Sequence, residues 1–321
     1  MIERATPLGH LELARSAANP RISPAGLRDR FGDTHDHTIA PGQIWRASWD
    51  DVSVLALVVE FDQTDIDVIP LTIDPEGEDS DCLVLDAGLS AFGCDATLWV
   101  GLRTTLPMRV FDEIIDELGE EILQSLLDPE TIDKLSLDGV RHGHAHNNPF
   151  NTATQFRAEI EDDLAALRSS PALPVASDPS PLDRPTLAAL LGKELDLSVL
   201  VEALRPLGLT QADVMRLLKG RRPVTPAIAL AVADATGVDV TQVKQSVQPL
   251  PPRFVREVAH PRWRPVWRER ADSSGVDEAD ARLEMSYEMF ALAARQTGAQ
   301  EPDWHARLAQ FLASRGNRRM P

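Results

Sequence analysis

Five basic side chains crowd into one short stretch, residues 205–222: Arg205, Arg216, Lys219, Arg221 and Arg222, opposed by Asp213 alone. A guanidinium presents a planar fork of donors that fits a phosphate or the edge of a guanine, while an ammonium acts as a point charge. Gln211 can pair two hydrogen bonds with an adenine edge, and the hydroxyls of Thr210 and Thr225 suit single contacts to a phosphate. Met215 falls among them. The chemistry of this group is that of a nucleic-acid contact surface.

Elsewhere the reactive residue types lack a constellation. His142, His144 and His146 alternate and would gather a metal with His35 or His37 only if the segment were extended, and no cysteine or carboxylate set accompanies them. They read as solvated loop histidines, so no metal and no other cofactor is expected. Cys82 and Cys94 have no CxxC partner and read as idle thiols of a reducing, cytoplasmic compartment. HPRWRPVWRER sets Arg262, Arg264, Arg268 and Arg270 beside Trp263 and Trp267. That composition serves phosphate binding, stacking on aromatics or the anchoring of a small helical unit, and the sequence leaves these open.

The formal net charge of −18 argues against a polyanion footprint over the whole surface. Its placement is uneven. From residue 47 to 137 acids abound, and the only basic residues are Arg103, Arg109 and Lys134. No run reaches the roughly 18 apolar residues that cross a bilayer, and residues 1–20 lack the apolar centre of a signal peptide, so no membrane partner is expected.

The basic stretch needs rigid elements to aim it, and the flanking pattern predicts them. Pro185 starts a helix with Leu187, Leu190 and Leu191 on one side. Asp196 or Ser198 caps the next, with Leu197, Leu200, Val201 and Leu204 inward, until Pro206 and Gly208 break it. Thr210 caps QADVMRLLKG, whose buried stripe is Val214, Leu217 and Leu218, and Gly220 supplies a left-handed stop. Thr225-Pro226 opens a further helix, in which Ile228, Leu230, Ala231, Val232 and Ala235 serve the core. This is a helix-turn-helix pattern. Subtracting the buried stripe leaves Gln211, Ala212, Met215, Arg216 and Lys219 outward, on the helix that such motifs insert into the major groove. Lys219, Arg221 and Arg222 suit phosphate clamps. One copy reads one half-site, so a homodimer on double-stranded DNA is expected. The runs VMRLLKGRRPVTP and ALAVADATGV, within residues 183–247, resemble the lambda-repressor-like, Xre-type domains, and specifically the HigA-type antitoxins. The resemblance implies an antitoxin-like transcriptional regulator, with a cognate toxin or other protein as a further partner.

From Pro41 the pattern turns to strands. GQIWRASW, VSVLALVVEF, DIDVIPLT, DCLVLDA and ATLWVGLRTT, separated by short polar turns, predict a small barrel with residues 52–61 at its centre. Phe111, Ile114, Ile115, Leu118, Ile122 and Leu126 recur at helical spacing and predict a helix packed on it. Gly42-Gln43-Ile44-Trp45, VLALVVEF, Val68-Ile69-Pro70-Leu71-Thr72, Leu102-Arg103-Thr104 and DELGEEIL, over about residues 40–127, resemble in their order the MazF/PemK toxins. Those are SH3-like barrels, many of which cut single-stranded RNA without a metal. The resemblance implies Thr72 as a group acting on the scissile phosphate. At the family's arginine position stand Asp51, Val52 and Ser53; Arg103 is a substitute candidate, although the resemblance implies a structural role for the matching arginine. Losing a donor where the pentavalent oxygens develop costs about 10²–10³ in rate, and the acidic surroundings repel RNA.

The chain thus reads as an α+β multidomain protein. An N-terminal helical arm (1–38) precedes an SH3-like, MazF/PemK-like β-barrel with a C-terminal helix (39–137). A loop at GVRHGHAHNNPFN, an exposed helix and a Pro/Ser linker (138–182) join it to an all-α helix-turn-helix domain (183–247) and a C-terminal helical module (248–321). In that module Val276, Ala279, Leu283, Tyr287, Phe290 and Ala294 form one stripe, and Trp304, Leu308, Phe311 and Leu312 another, suited to dimerisation or docking. The expectation is a sequence-specific DNA-binding regulator, not an enzyme, whose catalytically degenerate barrel senses or docks. The alternative is a fused toxin–antitoxin with a metal-independent endoribonuclease barrel.

Overall fold

The structure is a computed structural model that describes residues 21, 23–32, 38–62, 64–73, 77–127, 138–145, 152–176, 185–192, 196–293 and 302–316. The expected helix at Leu8, Leu11, Leu13 and Ala14 lies outside the described residues, as do His35, His37, His146, Ala294 and residues 177–184 of the linker. The protein is α+β and divides into two compact units, Met1–Ser170 with Ala259–Pro265, and Pro171–Val258 with Val266–Pro321.

In the first unit the strands are β1 (Gln43–Trp49), β2 (Val52–Asp62), β3 (Asp65–Thr72), β4 (Leu83–Leu85), β5 (Ala96–Leu98), β6 (Thr104–Pro107), β7 (Phe111–Glu117) and β8 (Val140–His142). They pair antiparallel as one open sheet in the order β7-β1-β2-β3-β5-β4-β8, with β6 beside the first half of β3. Helices α1 (Pro24–Phe31), α2 (Glu120–Leu127) and α3 (Thr152–Arg168) accompany it. β2 is central, as its unbroken apolar run predicts. Leu55, Leu57 and Val59 enter a core with Ile44, Ile69, Leu83 and Leu98, closed by Leu123 and Leu126 of α2. Val54, Ala56 and Val58 alternate with these and are buried as well.

Three expectations change here. Phe111, Ile114 and Ile115 do not begin a helix; they lie in β7, and α2 starts only at Glu120. The pairing of β7 with β1 slips at Ile44/Trp45 and at Arg46/Ala47, and Ile115 joins the core cluster while its neighbour Ile114 is buried outside it, so adjacent apolar residues imitate helical spacing. The helix predicted as exposed, α3, packs across β1, β2 and β6 with Ile160, Leu164 and Leu167 buried. The predicted loop at GVRHGH contributes β8, which pairs with β4.

The second unit is helical among the described residues: α4 (Leu187–Leu191), α5 (Leu197–Leu204), α6 (Gln211–Leu218), α7 (Pro226–Thr236), α8 (Val240–Gln245), α9 (Pro252–Val258), α10 (Arg264–Ser274), α11 (Glu278–Ala293) and α12 (Trp304–Gly316). The start of the predicted linker is fixed: Val175 bridges Leu250, and Leu173 is buried. Of the expected stripe, α11 buries Tyr287 and half-buries Ala279, Leu283 and Phe290; Ala281, Met285 and Met289 are buried as well, with Arg282 and Ser286 beside them, and Val276, before the helix, is exposed. The buried surface of this helix is thus wider than the expected stripe and includes part of it. The Tyr287 hydroxyl donates to the Gln248 carbonyl, and the Phe254 and Trp304 rings meet at 4.9 Å. Among the described residues no helix is long and apolar enough to cross a membrane.

Candidate nucleic-acid interface

The basic stretch is positioned by two caps and a turn. Asp196 accepts from the Ser198 amide and starts α5. A 3-10 turn over Arg205–Leu207 follows, and Gly208 leaves it in the left-handed conformation, φ 74° and ψ 12°. Thr210 then caps α6. Its hydroxyl oxygen accepts from the Asp213 amide at 3.3 Å, while the Asp213 carboxylate accepts from the Thr210 amide at 3.1 Å and from its hydroxyl at 2.7 Å. This reciprocal box satisfies donors that a helix start otherwise leaves open. α6 ends at Gly220, φ 65°, whose carbonyl accepts from the Gln248 amide at 2.9 Å.

Val214, Leu217 and Leu218 are buried, as are Leu204 and Leu209 before them and Ile228 and Val232 of α7. With that stripe committed, Gln211, Ala212, Met215, Arg216 and Lys219 share the exposed face of α6, and Arg221 is exposed just beyond it. The structure thus brings together five of the eight proposed nucleic-acid contacts, Gln211, Met215, Arg216, Lys219 and Arg221, and sets Thr210 exposed at the start of the same helix.

Two of the eight behave differently. Thr225 is only 7% exposed, and its hydroxyl accepts from the Ile228 amide at 3.3 Å, so it caps α7 and is not available to a phosphate. Arg222 is largely buried and pairs with Asp213 at 2.9 Å, which also lies 3.5 Å from Arg216. Partial burial opposes the charge of Asp213, but the Thr210 bonds and the Arg222 and Arg216 charges hold its carboxyl below the ordinary range. Arg205 pairs with Glu202. Leu230, assigned to the core from sequence, is 54% exposed.

The candidates in the sheet unit are already engaged. The Thr72 hydroxyl oxygen accepts from the Trp99 indole at 3.0 Å. Arg103 donates to Asp67, its Nε at 2.9 Å, and that bond first of all raises its pKa. At the position where the resemblance wants an arginine, Asp51 is exposed in the β1–β2 turn and Ser53 is buried. Arg46 pairs with Asp112 at 2.7 Å, and Arg109 donates to the Ser170 hydroxyl at 3.0 Å and to its carbonyl. Arg264, 2% exposed, donates to the Val110 carbonyl, sits 3.9 Å from Asp112 and stacks 5.3 Å from the Trp49 ring centre. Of the roles open to that arginine, the geometry selects anchoring. Trp263 and Trp267 are buried too.

His144 pairs with Glu78, which Arg141 also holds at 2.7 Å. Glu78 is distant in sequence, and no spacing rule could have joined it to the histidines. Among the described residues no group of three His, Cys, Asp or Glu side chains is arranged to hold a metal. Burial pushes the Cys82 thiol up, away from reactivity. No family model matches the chain, and no curated protein matches it.

Proposed function

We propose that this chain is a sequence-specific DNA-binding regulator of the antitoxin-like, helix-turn-helix kind, acting as a cytoplasmic homodimer. The observation that carries the reading is the outer face of α6. It presents Gln211, Met215, Arg216 and Lys219 to solvent with Arg221 next to it, in a chain of net charge −18. The local order supports it: α5, a tight turn through Gly208, a capped α6 and the following α7 and α8 give a short amphipathic helix with one polar face free. Gln211 suits an adenine edge, Arg216 a guanine edge, and Lys219 and Arg221 phosphates. In this reading the sheet unit is the SH3-like, MazF/PemK-like part, retained for sensing or for docking a partner. The engagement of Thr72 by Trp99 and of Arg103 by Asp67 speaks against the endoribonuclease alternative.

Selection of genomic fragments with purified full-length protein at moderate salt tests the reading. An inverted repeat with half-sites about one helical turn apart is expected. Enrichment of no motif refutes it.

A further inference from the structure

We infer that Asp213 is a positioning residue of the DNA-binding face, holding Arg222 at its rim to receive a phosphate; the inference rests on the DNA-binding reading above. At about 100° per residue, and with Gln211 set at zero, the exposed residues of α6 span roughly 0–140° and the buried stripe roughly 240–340°. Asp213 falls at about 200° on the same scale, on the border next to Arg216. Its two oxygens have different tasks. Oδ2 accepts from the amide and hydroxyl of Thr210, and Oδ1 is turned to Arg222 at 2.9 Å and Arg216 at 3.5 Å.

Arg222 lies past the end of α6, where a long side chain would otherwise lose much rotamer freedom on meeting a ligand. Asp213 takes one donor of its fork, and its Nε is shielded from solvent without a hydrogen-bond partner, yet a quarter of the side chain remains exposed. A guanidinium has five donors. The Asp213 bond fixes the direction of the guanidinium, and its remaining donors are those the inference assigns to a phosphate.

The simple electrostatic view has the opposite sign. An acid within a DNA-binding face repels phosphate and neutralises a neighbouring arginine, so its removal would tighten binding. Asparagine keeps an acceptor for Thr210 but loses the charge that orders Arg222. Affinity of the full-length protein for its selected duplex, titrated over a range of salt, decides between them for Asp213→Asn, Arg222→Ala, the double variant and Asp213→Glu. Positioning gives a loss of about five- to tenfold for Asp213→Asn and a log–log salt slope shallower by about 0.9 for each phosphate no longer neutralised. In the Arg222→Ala background Asp213→Asn adds no further loss, and Asp213→Glu, which keeps both the charge and the capping pattern, binds as the parent does.

Unchanged or tighter binding by Asp213→Asn overturns the inference while leaving DNA binding intact, as does an equal loss in the Arg222→Ala background. If Asp213→Asn fails to melt cooperatively, Arg222→Ala decides: an unaltered salt slope removes Arg222 as a phosphate ligand and the inference with it. A parent protein that binds no duplex removes both this inference and the reading beneath it.

Discussion

Replacing Gly220 by alanine tests how the end of α6 is locked. Two costs add. The residue sits at φ 65°, where a side chain costs about 1–2 kcal/mol. A Cβ there would also stand 2.8 Å from the Ser246 carbonyl oxygen and 3.2 Å from the Gln248 amide nitrogen. Neither atom is free to retreat. The Ser246 amide closes α8 by donating to Gln242 at 3.1 Å, and Gln248 donates to Gly220 itself. Relieving the contact therefore opens at least one backbone bond or strains the packing, at about 1–3 kcal/mol. Gly208→Ala is the internal control, because Gly208 has φ 74° with nothing within 4 Å of a Cβ. Its cost is the backbone term alone, about 1–2 kcal/mol. Gly220→Ala should thus cost about 3 kcal/mol, a fall in melting temperature of roughly 6–12 °C. Urea unfolding by circular dichroism, with amide exchange at Val214, Leu217 and Leu218 as the local readout, measures both variants. Equal losses for the two glycines would refute the close approach to Ser246.

Three further outcomes follow from the same geometry. Arg264→Ala leaves Asp112 with Arg46 but strips the buried Val110 carbonyl of its donor, at about 1–3 kcal/mol; urea midpoints should register it and near-ultraviolet dichroism should report the altered Trp49. Burial, with the charges of Glu159 and Asp162, raises the Asp163 pKa to about 6, above its unfolded value, so the native state takes up protons more readily. That contribution favours folding at low pH and is lost as pH rises through the folded pKa; Asp163→Asn should raise the melting temperature at pH 7 and leave it unchanged near pH 4. Lys219→Ala should lessen the salt slope of DNA binding by about 0.9 per protomer without altering the preferred sequence, as titrations on matched and mismatched duplexes would show.

The outward face of α6 is legible because short-range rules define it. A threonine cap, a Val214–Leu217–Leu218 stripe and a terminal glycine leave little choice about which residues face out. Thr225 shows the limit of that logic: the feature that marks it as a helix start also consumes its hydroxyl. β7 escapes such rules, since Phe111, Ile114 and Leu118 fit a helix as well as a bulged strand, and the partner strand β1, about 70 residues earlier, decides the matter. Pairings such as His144 with Glu78, Arg103 with Asp67 or Arg264 with Asp112 depend on chain crossings that no local window contains. Charge alone makes Arg103 and Arg264 look available, and tertiary partners claim both.

The return of residues Ala259–Pro265 to the sheet unit bears on how the chain matures during synthesis. Trp49 and Asp112 leave the ribosome long before Arg264 does, since roughly 150 residues separate Asp112 from it, or about 8–30 s of translation. Throughout that interval Asp112 already has Arg46, but the Trp49 ring lacks its guanidinium cover and the Val110 carbonyl its donor. The nascent sheet therefore keeps Trp49 uncovered until the tryptophan–arginine segment arrives, and a synonymous change that stalls translation between the two should lower soluble yield without altering a single residue.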